Sequence, residues 1–346
     1  MKTCVIMGAG LSGLVAARHL RSQGWRTLVV DKGRQPGGRL ATRRVGGISC
    51  DHGGQFLTVR DPAFAALVEG WERAGLVRRW CLGFPVLTPA GLQVPDGHPR
   101  WCAVDGFRAL GAALAADLEV RQEATVVRLE AANGGGWHVV LVPGDAVRSG
   151  PAGPEEVLYA DAVISTIPGP QAASLVAASG YPVPAALQAV RYHPCHALMV
   201  AWAAITAPVL PEPGGLRVED PAQPVGWMAS QRSKGLTSTG DVLLVHATGP
   251  WSAAHEEDAP ETVMATLLAS ARMCVARAGG IWPTEAMATS HHRWRYSLPR
   301  ILTEDPVLTI DAPAPLLLAG DAFGGRPRIE GAALSGLAAA QRLVGA

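Results

Sequence analysis

The sequence predicts an α/β protein, a parallel sheet with helices packed on it and antiparallel strands between its two ends. Three observations predict it. A strand–glycine turn–helix–strand unit opens the chain, a strand–glycine loop–helix unit closes it, and the turn residues between them suit antiparallel strands.

The opening unit runs Val5-Ile6-Met7, then Gly8-Ala9-Gly10-Leu11-Ser12-Gly13, then a helix with Leu11, Leu14 and Val15 at helical spacing. A second strand, Thr27-Leu28-Val29-Val30, ends at Asp31. Gly8 permits the tight turn, Gly10 lets a pyrophosphate approach the backbone, and Gly13 lets helix pack on strand. The helix N-terminus presents N–H groups to the phosphates, and Asp31 stands where a carboxylate accepts hydrogen bonds from an adenosine ribose. The segment predicts dinucleotide binding. Next come Lys32-Gly33-Arg34-Gln35-Pro36-Gly37-Gly38-Arg39 and Ala41-Thr42-Arg43-Arg44. A paired glycine followed by arginine is typical where backbone passes close to a flavin, and Arg39 is placed to meet the pyrophosphate as a charge-assisted contact. Alone, this stretch also reads as a solvated arginine loop.

The closing unit decides between them. Pro315-Leu316-Leu317-Leu318-Ala319 reads as a buried strand entering Gly320-Asp321. After Gly324-Gly325, a helix opens at Glu330-Gly331-Ala332, with Leu334, Leu337 and Ala338 on one face. Asp321 is suited to ribityl hydroxyls, and a helix N-terminus at the flavin N1–C2=O edge stabilises the charge of reduced flavin. Glycine motifs at both ends favour FAD over NAD as the bound cofactor.

Composition narrows the function classes. The 346 residues are 48% hydrophobic and 17% charged, ample for a core and unlike a disordered chain. A net charge of +1 supplies no broad electrostatic footprint for nucleic acid or an anionic membrane. No run nears the roughly 20 apolar residues of a membrane span. The six cysteines are scattered without a C-x-x-C pair, so neither a disulfide scaffold nor a zinc site is expected. A reduced, cytoplasmic protein without a metal is the expectation.

Together the two glycine units resemble the glutathione-reductase-type FAD proteins and, within them, the amine-oxidase-like branch. A closer resemblance is to the bacterial renalases. It is carried by Asp51-His52-Gly53-Gly54-Gln55-Phe56-Leu57-Thr58-Val59-Arg60-Asp61, Gly226-Trp227-Met228-Ala229-Ser230-Gln231-Arg232-Ser233-Lys234, Val245-His246-Ala247-Thr248, Trp251-Ser252 and His292-Arg293-Trp294. The likeness implies a Rossmann-type FAD-binding domain with an inserted α+β substrate domain, as in amine oxidases and p-hydroxybenzoate hydroxylase. The FAD domain is expected over 1–76, 103–178 and 310–346, and the substrate domain over 77–102 and 179–309. Gly134-Gly135-Gly136, Pro143-Gly144 and Gly150-Pro151 suit turns of a small antiparallel layer, and Asp161–Thr166, ended by Pro168, reads as a strand returning to the nucleotide sheet. The likeness assigns to FAD Gly8, Gly10, Leu11, Ser12, Gly13, Asp31, Lys32, Gly38, Arg39, Gly54, Gln55, Phe56, Val126, Gly320, Asp321, Glu330, Gly331 and Ala332. No cysteine follows Cys274, so a C-terminal thioether to the flavin is not available and non-covalent FAD is expected.

Renalase likeness further implies an oxidase of 2- and 6-dihydro isomers of NAD(P)H, with hydride passing to flavin N5 and dioxygen reduced to hydrogen peroxide. Hydride transfer of this kind needs no general base. Its candidate substrate contacts are Gln231, Arg232, His246 and Trp294. Trp294 offers an aromatic wall for a nicotinamide ring; His246, ending the apolar run Leu243–Val245, also reads as an ordinary satisfied core residue. Lysine occurs only at positions 2, 32 and 234, and Lys234 is expected to border a polar substrate entrance. Three departures from the renalase pattern stand out: Gln231 in place of Asn, Ala322 in place of Trp, and alanine in place of a bulky aromatic near Ala333. The two alanines predict extra space near the flavin. That space motivates a second reading, an amine-oxidase or desaturase-like enzyme with a non-nucleotide substrate; a third is a flavin-binding protein without turnover. A monooxygenase would share the fold, and the oligomeric state is not predicted.

Overall fold

A computed structural model describes residues 1–144 and 154–345, and the expected turn at Gly150-Pro151 lies outside them. By contact density the chain forms two compact units, one of residues 1–40, 111–191 and 299–346, the other of 41–110 and 192–298.

The first unit is built on a six-stranded sheet. Strand β1 (Thr3–Met7) lies at its centre, parallel to β2 (Arg26–Val30) on one side and to Ala162–Ser165 on the other. Glu119–Arg121 extends the sheet beyond β2, while Leu316–Leu318 and then the antiparallel Leu308–Thr309 extend the opposite side. The inner strands are continuous apolar runs, as both-face burial demands: Cys4, Val5, Ile6, Val163 and Ile164 have no exposed surface. Helix α1 (Leu11–Ser22) and the C-terminal helix Ile329–Val344 cross at Gly336, where a Cβ would run into Ser12 O and stand 2.8 Å from Ser12 C. The expected antiparallel layer is present as Ala124–Ala131, Trp137–Pro143 and Glu156–Ala160, with Gly134–Gly136, all at positive φ, as its first turn.

The second unit carries a seven-stranded, mainly antiparallel sheet. Its spatial order is Ala288–Ile301, Arg191–Trp202, Asp241–Ala247, Val225–Ser230, Gly215–Val218, Val86–Thr88 and Gly91–Gln93. Period-2 alternation sorts the side chains. Leu198, Val200, Leu243, Val245 and Ala247 pack with helix Pro260–Arg277 through Val263, Leu267, Ala271 and Cys274. On the other face Ala197, Met199, Ala201, Val242 and Leu244 pack with Val45, Cys50 and Trp294. His246 falls in step with Val242 and Leu244, on that second face.

Residues 41–76 and 103–110, expected with the nucleotide-binding part, group with this sheet unit, while 179–191 and 299–309, expected with the substrate part, group with the first. Local pairing explains the former. Thr42–Val45 and Ile48–Asp51 form a hairpin whose Val45 and Cys50 enter the sheet core, and Asp51 accepts from the Phe107 N–H at 2.9 Å.

Candidate functional site

The first unit holds the dinucleotide cradle. Gly8, at φ +104, turns the chain out of β1, its N–H bonded to Val30 O at 2.8 Å. A Cβ at Gly13 would overlap Gly8 O and stand 2.9 Å from Thr166 Oγ1, so only glycine lets α1 sit this close to the turn. Gly10 is different: a Cβ there meets nothing within 4 Å, and the space lies open for a ligand. Gly10 caps α1 without a side-chain hydrogen bond, and no acid occupies the first turn. The orphan N–H groups of that turn therefore meet no competing cap and suit a pyrophosphate. Leu11 is buried, and Ser12 Oγ is buried without a partner among the described residues.

Asp31 organises the loop more than expected. Its two carboxylate oxygens accept from Ala9 N and Gly33 N, both at 2.6 Å, fastening the glycine turn to the end of β2. Each oxygen keeps a lone pair for a ribose hydroxyl. Pro36–Gly38 folds back on the turn: Gly37 N–H donates to Ala9 O at 2.8 Å, and a Cβ at Gly38 would lie 3.2 Å from Gly10 Cα. Lys32 and Gly38 are exposed.

Arg39 and Asp321, assigned separately to pyrophosphate and ribityl chain, are brought together. They form a bidentate pair at 2.5 and 2.7 Å, with Asp321 nearly buried. Asp321 is placed by its neighbour: Gly320 N–H donates to Ser335 Oγ at 2.8 Å, and that hydroxyl donates to Pro306 O at 2.6 Å. The C-terminal helix begins at Ile329 with Glu330 in its first turn, where an acid offsets part of the positive helix end. Gly331 is buried and Ala332 partly so. Val126 sits at a β-bulge in the antiparallel layer. Ala322 and Ala333 have no exposed surface, so the extra space expected at these alanines is covered by protein.

The second unit gathers a different set. Trp294 Nε1–H and His246 Nε2 both bond the carbonyl oxygen of His52, each at 2.9 Å. The His52 ring lies against Trp294, 5.3 Å between centroids and 27° between planes, and meets His292 edge-on at 5.1 Å; His292 is 4.4 Å from Trp294. A carbonyl only accepts, so His246 carries its proton on Nε2 and offers Nδ1 as an acceptor. Burial is the first cause holding all three imidazoles neutral. It pulls His52 down to about 3, aided by Arg43, His292 and His246; it pulls His292 to about 4, aided by Arg43, and His246 to about 4, aided by Lys234. His246 and Trp294, two of the expected substrate contacts, thus meet on one carbonyl, with His52 and His292 beside them. The only sequence signal of these last two histidines was their place inside the D-H-G-G-Q and H-R-W stretches.

Gln231 and Arg232 do not join this cluster's hydrogen bonds. Gln231 has no exposed surface; its Oε1 accepts from Asp51 N at 2.9 Å and its Nε2 donates to Ala229 O at 3.2 Å. Arg232 is exposed, donating to Thr239 O. Lys234, expected at a polar entrance, is instead fully buried and ion-paired with Asp51 at 2.5 Å. An isolated ammonium costs too much to bury, and Asp51 supplies the partner. Gln55 Nε2 donates to Asp51 O at 2.8 Å as well as to Gly53 O and Gly54 O, leaving Oε1 as a buried acceptor without a partner among the described residues. Phe56 packs in an aromatic cluster with Phe84 and Trp227, beneath the Arg100 guanidinium.

All six cysteines are unpaired thiols. Among the described residues no helix is long and apolar enough to cross a membrane, and no His, Cys, Asp and Glu group is arranged to hold a metal.

Comparison with known proteins agrees with this geometry. Residues 6–71 match the NAD(P)-binding Rossmann-like domain family, and residues 88–344 match the family of flavin containing amine oxidoreductases. A stretch of 109 residues is 49% identical to lysine-specific histone demethylase 1 homolog 1 of Arabidopsis thaliana, covering 29% of this chain and 12% of that protein. Another, of 78 residues, is 44% identical to phytoene dehydrogenase of Streptomyces griseus, covering 21% and 15%. These stretches span no more than 15% of either relative's length. Among solved structures, a protein of Exiguobacterium sp. 255-15 described as a protoporphyrinogen oxidase superimposes with a TM-score of 0.74 at 14% identity, over 99% of this chain and 98% of that one. Putrescine oxidase bound to putrescine superimposes with a TM-score of 0.72 at 15% identity, over 100% and 99%. At such identities the superpositions show the mixed α/β, amine-oxidase-like fold. The family match, over well more than half of the sequence, shows the rest: this chain belongs to the flavin containing amine oxidoreductases, and its cofactor is FAD.

Proposed function

We propose that this oxidoreductase takes hydride from 2- and 6-dihydro isomers of NAD(P)H and uses dioxygen as acceptor, so that dihydro-NAD(P), O2 and one proton become NAD(P)+ and hydrogen peroxide. One observation carries the reading. The His52–His246–His292–Trp294 cluster is neutral, the charges pressing on it are Arg43 and Lys234, and among the described residues no carboxylate acts on His246 or His292. An alkylammonium substrate calls for an anionic partner, which this cluster does not offer. A flat, neutral dihydropyridine on a phosphorylated dinucleotide suits stacking on an indole and a positive surrounding potential.

Bound FAD supplies the two-electron acceptor, and no protein base is required. The residues that would hold it are the Gly8–Gly13 turn for the pyrophosphate, Asp31 for the adenosine ribose, and Arg39 and Asp321 for the pyrophosphate and ribityl hydroxyls. Gly54, Gln55, Phe56 and Val126 remain assigned to FAD, held without a covalent bond. Trp294 supports the nicotinamide ring and His246 Nδ1 accepts from its carboxamide. Arg232, exposed, is suited to a substrate phosphate. Gln231 anchors Asp51 and contacts no substrate. Six unpaired cysteines suit a reducing compartment, and we place the protein in the cytoplasm.

The amine-oxidase reading has a specific support too, because the structure superimposes on putrescine oxidase over its whole length. Anaerobic stopped-flow reduction separates the readings. The flavin band of the purified holoenzyme is followed after mixing with 2-dihydro-NAD(P), 6-dihydro-NAD(P), putrescine, or ordinary NADH as control. Bleaching within seconds by an isomer, and not by putrescine or NADH, is the expected result. Bleaching by putrescine alone would overturn it in favour of an amine substrate, and no bleaching by any donor would leave a flavin protein without this activity.

A further inference from the structure

We propose that the buried Asp51–Lys234 ion pair is the positioning element of the histidine–tryptophan cluster, fixing the chain at Asp51 so that the carbonyl of the next residue gathers His246 and Trp294. The inference rests on reading that cluster as the substrate-handling site. Every polar group of Asp51 is engaged. Its carboxylate accepts from Lys234 Nζ and Thr42 Oγ1, both at 2.5 Å, and from Phe107 N at 2.9 Å. Its N–H donates to Gln231 Oε1 at 2.9 Å, and its carbonyl accepts from Gln55 Nε2 at 2.8 Å. Segments far apart in sequence therefore converge on one residue, and the residue after it carries the carbonyl on which the cluster is hung.

Lys234 is held on the remaining sides by aromatic faces, 5.3 Å from the Phe107 centroid and 5.7 Å from Trp80. A buried ion pair is weak evidence for stability, since apolar replacements of both partners often fold as well. Placement is the better account of why it is there. The pair also has an electrostatic reach. The titratable groups around His246 are His52 and His292, with Lys234 and its partner Asp51 beyond, and the lysine charge disfavours a proton on His246. Lys234 is thus a positioning residue, not a substrate contact.

The test uses the full-length holoenzyme and the double variant Asp51→Asn/Lys234→Met, which removes both charges and leaves neither ion buried alone. His246 is followed by NMR titration, assigned by comparison with His246→Gln. The expected result is a rise of roughly half a pH unit or more in the His246 midpoint, with KM for the dihydronicotinamide isomer raised about tenfold and kcat changed less. An unmoved His246 midpoint in the folded variant would overturn the proposal. In the wild type, the amides of Asp51 and His52 should exchange hydrogen only through global unfolding; exchange at the rate of an open loop would overturn it without any variant. If His246 shifts while no dihydronicotinamide reduces the wild-type flavin, the positioning role stands and the substrate assignment falls.

Discussion

Alanine at Gly10 and alanine at Gly13 should separate cofactor binding from folding, although the two glycines stand three residues apart in one motif. At Gly10 the backbone is extended, φ −74° and ψ 176°, and a Cβ meets nothing within 4 Å. Alanine restricts the unfolded chain, worth about 0.4–1 kcal/mol, but is a poorer N-cap than glycine by about the same amount. The two effects cancel, and the apo protein should melt within about 2 °C of wild type. The new methyl nevertheless occupies the space through which a pyrophosphate reaches the α1 N–H groups. FAD should bind at least tenfold more weakly, a loss of about 1.4 kcal/mol. At Gly13 the methyl meets backbone, overlapping Gly8 O and reaching 3.2 Å from Gly8 C, with Thr166 Oγ1 at 2.9 Å. Neither the turn nor the helix can yield cheaply, so a cost of about 3 kcal/mol is expected, seen as a fall of roughly 6–12 °C in Tm. The assays are FAD titration of the apo protein by flavin fluorescence and thermal melting by circular dichroism. Wild-type FAD affinity in Gly10→Ala, or a wild-type Tm in Gly13→Ala, would refute the reasoning.

Three further outcomes are expected. Stability should fall with acid: above pH 6.5 His52, His246 and His292 are neutral both folded and unfolded, and below it the unfolded chain takes up protons first, until the folded midpoints near 4 and 3 are passed. His246 alone accounts for about 3 kcal/mol across that window, so the urea midpoint should drop between pH 7.5 and 4.5 and drop less in His246→Gln; equal drops would contradict the assignment. Trp294→Phe keeps a ring but removes the donor to His52 O, a loss of about 1 kcal/mol, and should raise KM for the dihydronicotinamide several-fold with FAD affinity unchanged; unchanged KM would remove Trp294 from the site. Gly336→Ala forces the C-terminal helix away from Ser12 O and should cost about 2–3 kcal/mol in thermal unfolding, whereas a wild-type melt would mean the helices part freely.

What the sequence disclosed was what is local. Each glycine of the opening turn acts on atoms within a few residues or on the adjacent strand, so spacing alone reveals its role. Asp31 was legible by position, yet its bonds to Ala9 N and Gly33 N could not be read, because they depend on how the loop closes. Arg39 and Asp321 each carried a plausible cofactor role, but their mutual pairing across 282 positions leaves no trace in either neighbourhood. The burial of Gln231 was hidden for a related reason. Its place beside Arg232 suggested a substrate contact, whereas the strand Val225–Ser230 delivers it into the core, where an amide is needed to satisfy the Asp51 N–H. Lys234 followed it inward.

The histidine at the candidate site is placed by the same register that builds the hydrophobic core. Along Asp241–Ala247, Leu243, Val245 and Ala247 face helix Pro260–Arg277, while Val242, Leu244 and His246 face the hairpin that ends at Asp51. A slip of one residue would turn the first set toward the hairpin and His246 toward that helix. Core packing therefore decides which side chain meets the His52 carbonyl, and the cluster needs no separate device to set its register. What packing does not decide is the height of that carbonyl, since beyond the one backbone bond from His52 N–H to Ala41 O at 3.0 Å, residues 53–56 leave the hairpin without strand partners. A buried charge that must find its counter-charge fixes that height more sharply than apolar contact would, because Lys234 and Asp51 have one low-energy separation while methyl groups tolerate many. The sheet sets the face, and the ion pair sets the position on it.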